Sequence, residues 1–219
     1  MRVFITLKVF TILSATVYLL LAVVGEGGFQ AYFSRPPLVA LAMVVFLLAF
    51  SSLFTEGNMT SGQREDRSNR WVLVIFSIVG ILSGWLPAYT DRIGFLSFGG
   101  EAVRALGVIM VAVGGSLRLY PVFVLGHRFS GLVVLQPGHK LVTTGIDRHI
   151  RNPSYLGLLV TSLGWALAFH SFIGILLVLC LLPPLVARIH SEENLLQSQF
   201  GEEYAAYKRH SWRLLPGIY

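Results

Sequence analysis

Residues 138–155, GHKLVTTGIDRHIRNPSY, carry the densest group of polar side chains in this 219-residue chain. The stretch contains two histidines, one lysine, two arginines, an aspartate, an Asn-Pro step and a tyrosine. Apolar runs long enough to cross a membrane flank it on both sides. Ionisable side chains at such a boundary predict a functional surface rather than a simple connector.

A second polar cluster, from Arg188 to Glu193, follows the last apolar run. Arg188 and Glu192 are four residues apart and therefore share one face of a helix. An ion pair on an exposed helix surface, worth about 0.3–0.5 kcal/mol, accounts for this spacing. A pair that faces inward, towards residues 138–155, accounts for it equally well, and the spacing leaves both interpretations open.

The step from Arg151 to Pro153 predicts the start of a membrane helix. Proline suits the first helical position, and Asn152 suits the N-cap, where its side chain accepts backbone N–H bonds. The positive end of such a helix can bind a carboxylate or a phosphate. A plain helix cap explains the same residues, so the sequence alone does not decide between them.

No metal site is expected from the histidines. His139 and His149 lie ten residues apart, and the sequence has neither an HExxH pattern nor a close histidine pair with a nearby acid. His139 is expected to form hydrogen bonds within the protein or to a cofactor. The sequence also lacks a GxGxxG loop and a P-loop, so a nucleotide-like cofactor would be held by other means.

The composition predicts a membrane protein. Hydrophobic residues make up 54% of the chain and charged residues only 13%, against about 25% charged in an average soluble domain. The net charge of +6 is expected to orient the protein in a membrane rather than to bind nucleic acid. Cys180 is the single cysteine, so a disulfide within the chain is excluded.

Six apolar segments predict an all-α, polytopic membrane bundle of about six transmembrane helices. The first run is long for a signal peptide and has no clear cleavage site, so a retained helix is expected. The run from 155 to 186 is interrupted at His170-Ser171, which predicts a tight helical hairpin. The expected helices cover about 3–24, 38–54, 71–88, 102–120, 153–169 and 172–189.

The sequence also predicts where helices approach each other and what the tail forms. Gly80 and Gly84 are expected to let helices approach closely. Phe200, Tyr204 and Tyr207 share one face of the tail, which predicts an amphipathic interfacial helix that either anchors the protein or covers a pocket. We expect one membrane domain over residues 1–219, with a four-helix scaffold at 1–120.

The charge distribution predicts the orientation. All but three of the 17 lysines and arginines lie in or next to loops on one side of the expected bundle. The three on the opposite side are Arg35, Arg92 and Arg104. The positive-inside rule therefore predicts that both termini and both polar clusters are cytoplasmic.

From Gln136 to its end, the chain resembles the isoprenylcysteine carboxyl methyltransferase (ICMT) family of integral membrane enzymes and, more remotely, phospholipid N-methyltransferases. The order and spacing of the motifs, and the apolar hairpin between them, agree with the family. The first three spans carry almost no signature. The matching motifs are GHKLVTTGI at 138–146, RNPSYLG at 151–157, RIHSEENLL at 188–196, FGEEYAAYKR at 200–209 and the closing LLPGIY.

The resemblance implies a methyltransferase that uses S-adenosylmethionine without a Rossmann fold. The cofactor is expected in a cytoplasmic pocket between residues 136–155, the final hairpin and the tail, which makes 121–219 the cofactor-binding and catalytic part of the domain. Arg188 matches the position that handles the substrate carboxylate in the family. The positions that match family cofactor-binding residues are Gln136, His139, Lys140, Leu141, Val142, Pro153, Ser154, Tyr155 and Glu192.

Two further residues expected at the cofactor depart from the family pattern. Asp147 stands where the family usually has tyrosine, and it adds negative charge near a cationic sulfonium. Asn152 stands where the family usually has histidine, and its amide can still donate and accept hydrogen bonds. Both departures indicate that the acceptor can differ from that of the family.

The leading hypothesis is carboxyl O-methylation of an isoprenylcysteine-like acceptor that enters from the bilayer. A phospholipid, amine or thiol acceptor is the first alternative, and an amine would need a base such as Asp147 or Glu193. A transporter or scaffold whose basic loops bind anionic lipids is the second. The expected partners are a prenylated or other lipophilic substrate and membrane lipid, with no nucleic acid and no metal.

Overall fold

The computed structural model describes the backbone of residues 2–54, 64–65, 70–125, 134–135 and 141–219, and the side chains of 8–54, 70–124 and 141–219. Three predicted cofactor residues, Gln136, His139 and Lys140, lie outside the described residues.

Helices dominate the described part of the chain, which confirms the all-α prediction. The exception is an antiparallel pair of two-residue strands, in which Arg64 faces Leu135 and Glu65 faces Val134. A short 3-10 helix, Gly145–Arg148, precedes α6. The helices and strands are α1 (Arg2–Glu26), α2 (Phe29–Phe33), α3 (Pro36–Ser52), β1 (Arg64–Glu65), α4 (Trp71–Ile93), α5 (Glu101–Leu125), β2 (Val134–Leu135), α6 (Pro153–Ala168), α7 (Phe172–Phe200) and α8 (Glu202–Arg209).

Four of these helices, α1, α4, α5 and α7, are long and apolar enough to cross a membrane. Helices α3 and α6 are also apolar but contain 17 and 16 residues, fewer than the roughly 20 that a straight span needs. The exact number of six spans therefore stays a prediction, although the tight hairpin of α6 and α7 forms where it was expected.

Helix α7 is longer than the sequence predicts. It continues from Phe172 through the charged residues after Ile189 and ends at Phe200, where Gly201 adopts a φ of 50°. Residues such as Glu192 and Leu195 are good helix formers, so the charged stretch extends the helix instead of beginning a new one. The prediction that Phe200 belongs to the tail helix with Tyr204 is therefore wrong.

Helices α5 and α6 form the most extensive helix pair, and glycine makes this contact possible. A Cβ atom at Gly114 would lie 2.5 Å from the Thr161 nitrogen, and one at Gly157 would lie 2.5 Å from the Arg118 nitrogen. Any larger residue at either glycine would collide with the facing backbone. Gly80, by contrast, meets nothing within 4 Å, so the expectation that it mediates a close helix contact is wrong.

Buried charges join five segments at the end of the bundle that holds the α6–α7 turn. Oδ2 of Asp91 accepts hydrogen bonds of 2.9 Å from Arg35 and from Arg104. His170 Nδ1 lies 3.4 Å from Asp91 Oδ1, and Glu26 Oε2 lies 3.1 Å from Arg35. We call these five residues the Asp91 network. The network pairs Arg35 and Arg104, two of the three cations that the sequence places on the less basic side of the bundle.

We expect Asp91→Ala to lower the free energy of unfolding by about 3–5 kcal/mol, because it leaves the buried Arg104 without its carboxylate. The measurement is thermal unfolding in detergent. Glu101→Ala is the matched control, since Glu101 also contacts Arg104, at 3.4 Å, but its side chain is 70% exposed. Equal melting temperatures for the two variants would contradict a structural role of the Asp91 network.

Candidate functional site

Tyr155, Arg188 and Glu192 meet at the opposite end of the α6–α7 hairpin from the Asp91 network. The Tyr155 hydroxyl donates a 2.6 Å hydrogen bond to Oε2 of Glu192 and accepts one of 2.8 Å from Nε of Arg188. We call these residues the Tyr155 triad. The inward-facing interpretation of Arg188 and Glu192 is therefore the correct one, since both reach a side chain of the predicted polar segment.

The packing of α6 against α5 and α7 positions the Tyr155 triad. Tyr155 lies in the first turn of α6, beside Ser154, whose Oγ donates to the Arg118 carbonyl at 3.2 Å. On α7, Arg188 is 7% exposed and follows Leu185 by three residues. Leu185 and Ile189 are completely buried in an apolar cluster that also contacts Tyr155. Arg188 is thus a buried side chain whose Nε is bound to a phenol, and it lies on the same helix as this apolar cluster.

Glu193, next to the triad, binds two arginines. Its Oε1 lies 3.1 Å from Nε of Arg151, and its Oε2 accepts bonds of 3.0 and 2.8 Å from Nε and Nη2 of Arg213. Arg151 also donates to the Ser211 carbonyl. We call Arg151, Asn152, Glu193 and Arg213 the Glu193 network. It joins the entry of α6, helix α7 and the C-terminal residues.

Asn152 occupies the predicted N-cap position of α6 but does not cap the helix through its side chain. It is buried, and its Nδ2 donates to the Arg213 carbonyl at 3.1 Å and to Glu193 Oε1 at 3.5 Å. The predicted capping bond is therefore wrong, because the side chain is used in a tertiary contact with the C-terminal residues. Pro153 is the first residue of α6, as predicted.

Asp147 lies in the 3-10 helix beneath α8. The Tyr207 hydroxyl donates a 2.6 Å bond to the Asp147 carbonyl, and Tyr204 is buried on the same side of α8. Helix α8 therefore covers the 3-10 helix. Burial raises the pKa of the Asp147 carboxyl to about 6, although a hydrogen bond from Tyr120 partly offsets the shift.

Leu141 and Val142, the other predicted cofactor residues that the structure describes, lie in a half-buried, non-helical segment before the 3-10 helix. Within the described ranges they form no hydrogen bond with the Tyr155 triad. Among the described residues, no group of three histidine, cysteine or acidic side chains is arranged to hold a metal ion.

A cavity of about 430 Å³, lined largely by apolar side chains, lies inside the bundle between α1, α3, α4, α5, α6 and α7. On α6 its wall begins at Leu158, one turn after Tyr155, and extends to Trp165. This interval of seven residues corresponds to about 10 Å along the helix axis. Arg118, whose carbonyl accepts the hydrogen bond from Ser154 beside Tyr155, also lines the cavity. The cavity thus begins near the charged end of the bundle and extends into its apolar interior.

The sequence did not predict the pairing of Glu193 with Arg151 and Arg213. The sequence contains one indication of this pairing, the two adjacent acidic residues at 192–193. Neighbouring residues of a helix point about 100° apart, so the two carboxylates need different partners. Arg213 lies 20 residues further along the chain, and no short spacing pattern connects it to Glu193.

Comparison with known proteins finds a similar family for the part of the chain that holds this site. Residues 107–198 match the family model described as the isoprenylcysteine carboxyl methyltransferase (ICMT) family. The protein-S-isoprenylcysteine O-methyltransferase of Schizosaccharomyces pombe is 34% identical over 108 residues, which cover 48% of this chain and 45% of that protein. The Mus musculus protein of the same name is 33% identical over 144 residues, 64% of this chain and 51% of that protein. The chain spans about half the length of the curated relatives it matches.

A solved structure shows the same fold. A eukaryotic intramembrane Ras methyltransferase, ICMT, superimposes with a TM-score of 0.53 at 18% identity, covering 93% of this chain and 74% of that chain. Together with the four long apolar helices, this likeness identifies an integral membrane fold.

We expect Glu193→Ala to release the C-terminal residues, because Arg151 and Arg213 lose their shared carboxylate. Hydrogen exchange of amides in 204–219 is expected to become at least about tenfold faster, which corresponds to about 1.4 kcal/mol. Glu203→Ala, an exposed acid on α8, is the control and is expected to leave the exchange unchanged. If both variants exchange like the wild type, the Glu193 network does not hold the C-terminal residues.

The raised pKa of Asp147 predicts a pH-dependent stability. The folded carboxyl has a pKa of about 6 against an ordinary value of 3.8, so the folded state binds the proton more tightly and its stability falls as the pH rises through this window. The loss is at most about 3 kcal/mol. The melting temperature of Asp147→Asn, relative to wild type, is expected to rise from pH 4 to pH 7 and then stay level. A difference independent of pH would contradict the assignment.

Proposed function

We propose that this chain is a member of the isoprenylcysteine carboxyl methyltransferase family that it matches, and that it transfers a methyl group from S-adenosylmethionine to the carboxylate of a lipophilic, isoprenylcysteine-like acceptor. The observation that carries this proposal is the position of Arg188. Arg188 is buried and its Nε is bound to Tyr155, which lies one helical turn before Leu158 at the start of the apolar cavity. One site therefore offers a cation for a carboxylate and an apolar space for a hydrocarbon chain.

The acceptor would lie with its carboxylate at Arg188 and its chain in the cavity. Charge-assisted hydrogen bonds to carboxylates are among the stronger ones in proteins, and guanidinium groups make them with a defined geometry. Arg118, at the wall of the cavity, adds a second positive charge near this position. The cavity lies between helices and not in a soluble domain, which agrees with an acceptor that enters from the bilayer.

The residues near the triad fit the chemistry of S-adenosylmethionine. Glu192 is partly exposed and holds Tyr155 through Oε2 only, within the described residues, so its carboxylate suits an ammonium group. Asp147 is ionised above pH 6 and suits a cationic sulfonium. The main chain of Leu141 and Val142 supplies polar groups in a half-buried segment. The family resemblance adds Gln136, His139, Lys140, Asn152, Pro153 and Ser154 to the proposed cofactor site.

When bound, S-adenosylmethionine supplies a methyl group on a positively charged sulfur. The acceptor carboxylate, ionised at neutral pH, needs no base to attack it. The protein has to align the two groups and exclude water. Arg188 orients the carboxylate, Tyr155 keeps the guanidinium in one position, and the apolar cluster around Leu185 and Ile189 keeps water away from both.

We propose that both termini and the active site lie in the cytoplasm. The Tyr155 triad and the Glu193 network lie at the end to which the sequence assigns most of the lysines and arginines. The cations Arg35 and Arg104 at the other end are paired with Asp91. Residues 1–120 supply walls of the cavity and 121–219 supply the triad, in line with the proposed division into a scaffold and a catalytic part.

An amine acceptor is the alternative that differs most clearly from the carboxylate proposal in the groups it would require. It would need a base near neutral pH, and Glu193 is bound to two arginines and does not suit that role. Asp147, with a pKa of about 6, would be the base. Activity on amine or phospholipid acceptors that is lost in Asp147→Asn would support this alternative in place of the carboxylate.

We expect Arg188→Ala and Glu192→Ala to lower kcat/KM for a farnesylcysteine acceptor by at least about 100-fold, a loss typical of removing a group that acts on the reacting atoms. The assay follows a labelled methyl group, and calorimetry of cofactor binding separates the two roles. Glu192→Ala should weaken cofactor binding, while Arg188→Ala should retain it. Glu202→Ala, an exposed acid on α8, is the control. Normal activity of both folded variants would overturn the site.

A further inference from the structure

The cavity beside the Tyr155 triad has a closed end built from aromatic rings. The ring centroids of Tyr18 and Trp165 lie 4.7 Å apart, and Phe169 lies behind Trp165 at 5.1 Å. Trp165 is 3% exposed, and its Nε1 donates a 2.9 Å hydrogen bond to the Ser83 carbonyl. A ring that is packed on two sides and hydrogen-bonded cannot move aside to lengthen the cavity.

The depth of the cavity is the same on several helices. On α4 the lining extends from Phe76 to Ser83, and on α3 from Ser52 back to Val45. Each of these intervals, like Leu158 to Trp165 on α6, spans seven residues or about 10 Å. The cavity therefore has one fixed length, measured from the charged end to the Tyr18–Trp165 pair.

Gly80 lies on the wall between Phe76 and Ser83, in the half of the cavity nearer the closed end. A Cβ atom at this glycine would meet nothing within 4 Å, whereas one at Gly84, one turn further, would lie 3.1 Å from Tyr18. Gly80 is therefore not required for helix packing. What it does is leave the deeper half of the cavity open, and a larger side chain would fill that space without displacing the backbone.

We propose that Gly80 and the Tyr18–Trp165 pair determine the length of the hydrocarbon chain that the acceptor can carry. This inference rests on the proposed function, because the chain in question belongs to the acceptor whose carboxylate binds Arg188. The aromatic pair sets the upper limit of length, and Gly80 makes the deeper half of the cavity available to the chain. A branched side chain at position 80 would restrict the site to shorter chains.

The test compares Gly80→Leu with wild type on S-geranyl-, S-farnesyl- and S-geranylgeranylcysteine in a labelled-methyl assay. The ratio of kcat/KM for geranyl to that for farnesyl acceptors should rise at least tenfold in Gly80→Leu and by a smaller factor in Gly80→Ala. Ile81→Phe is the matched control, since Ile81 is the next residue of α4 and is exposed on its outer face. It adds bulk outside the cavity and should keep the wild-type ratio. Melting temperatures confirm that all variants fold.

A photoreactive probe tests the same cavity without turnover. A farnesylcysteine with a diazirine on its terminal isoprene unit should label peptides that contain Tyr18 or Trp165 in wild type, and Gly80→Leu should abolish this labelling. An unchanged chain-length ratio in Gly80→Leu, or labelling that persists there, overturns the proposal. If wild type methylates none of the three acceptors, the proposed function fails. Labelling at Tyr18 or Trp165 that Gly80→Leu removes would still show that the hydrocarbon chain binds in this cavity.

Discussion

The direct backbone contact between α5 and α6 determines the geometry on which the site depends. Gly114 and Gly157 allow this contact, because a Cβ atom at either would overlap the opposite helix. The contact brings the Arg118 carbonyl within 3.2 Å of Ser154 Oγ, in the first turn of α6. Tyr155 follows in the same turn and is thereby placed beside α7, where Arg188 donates to it. Small residues in one helix pair thus position a phenol that belongs to a different contact.

The two ends of the bundle use buried charge in different ways. In the Asp91 network, two arginines share one carboxylate oxygen, and these bonds join segments that are far apart in sequence. Replacing such a network by apolar residues is often neutral for stability, so its value lies in fixing which segments meet. At the other end, the Glu193 network holds the C-terminal residues against the entry of α6. The Tyr155 triad lies beside it and leaves Glu192 partly exposed, which a binding site requires.

The sequence predicts those features that local spacing determines. The length of an apolar run predicts the α6–α7 hairpin, and the four-residue interval predicts that Arg188 and Glu192 share a face. It leaves open whether that face is buried, because burial depends on which helix packs against α7. The partner of Glu193 is missed for the same reason, since Arg213 reaches it only after the chain has returned through α8. Gly80 shows the limit most clearly, because a glycine in a membrane helix can permit a contact or leave a space.

For the proposed methyl transfer, the charges at the triad suit a carboxylate acceptor better than an amine acceptor. Glu193 is neutralised by two arginines, and Glu192 is engaged by the Tyr155 hydroxyl. Arg188 is bound to Tyr155, and Arg118 lines the apolar cavity next to the first turn of α6. A cationic acceptor would add a third positive charge here, whereas an anion would offset the two that are present, and such interactions are stronger in a low-dielectric surrounding than in water. An acceptor that brings its own negative charge therefore improves the electrostatics of the site, and it needs no base from the protein.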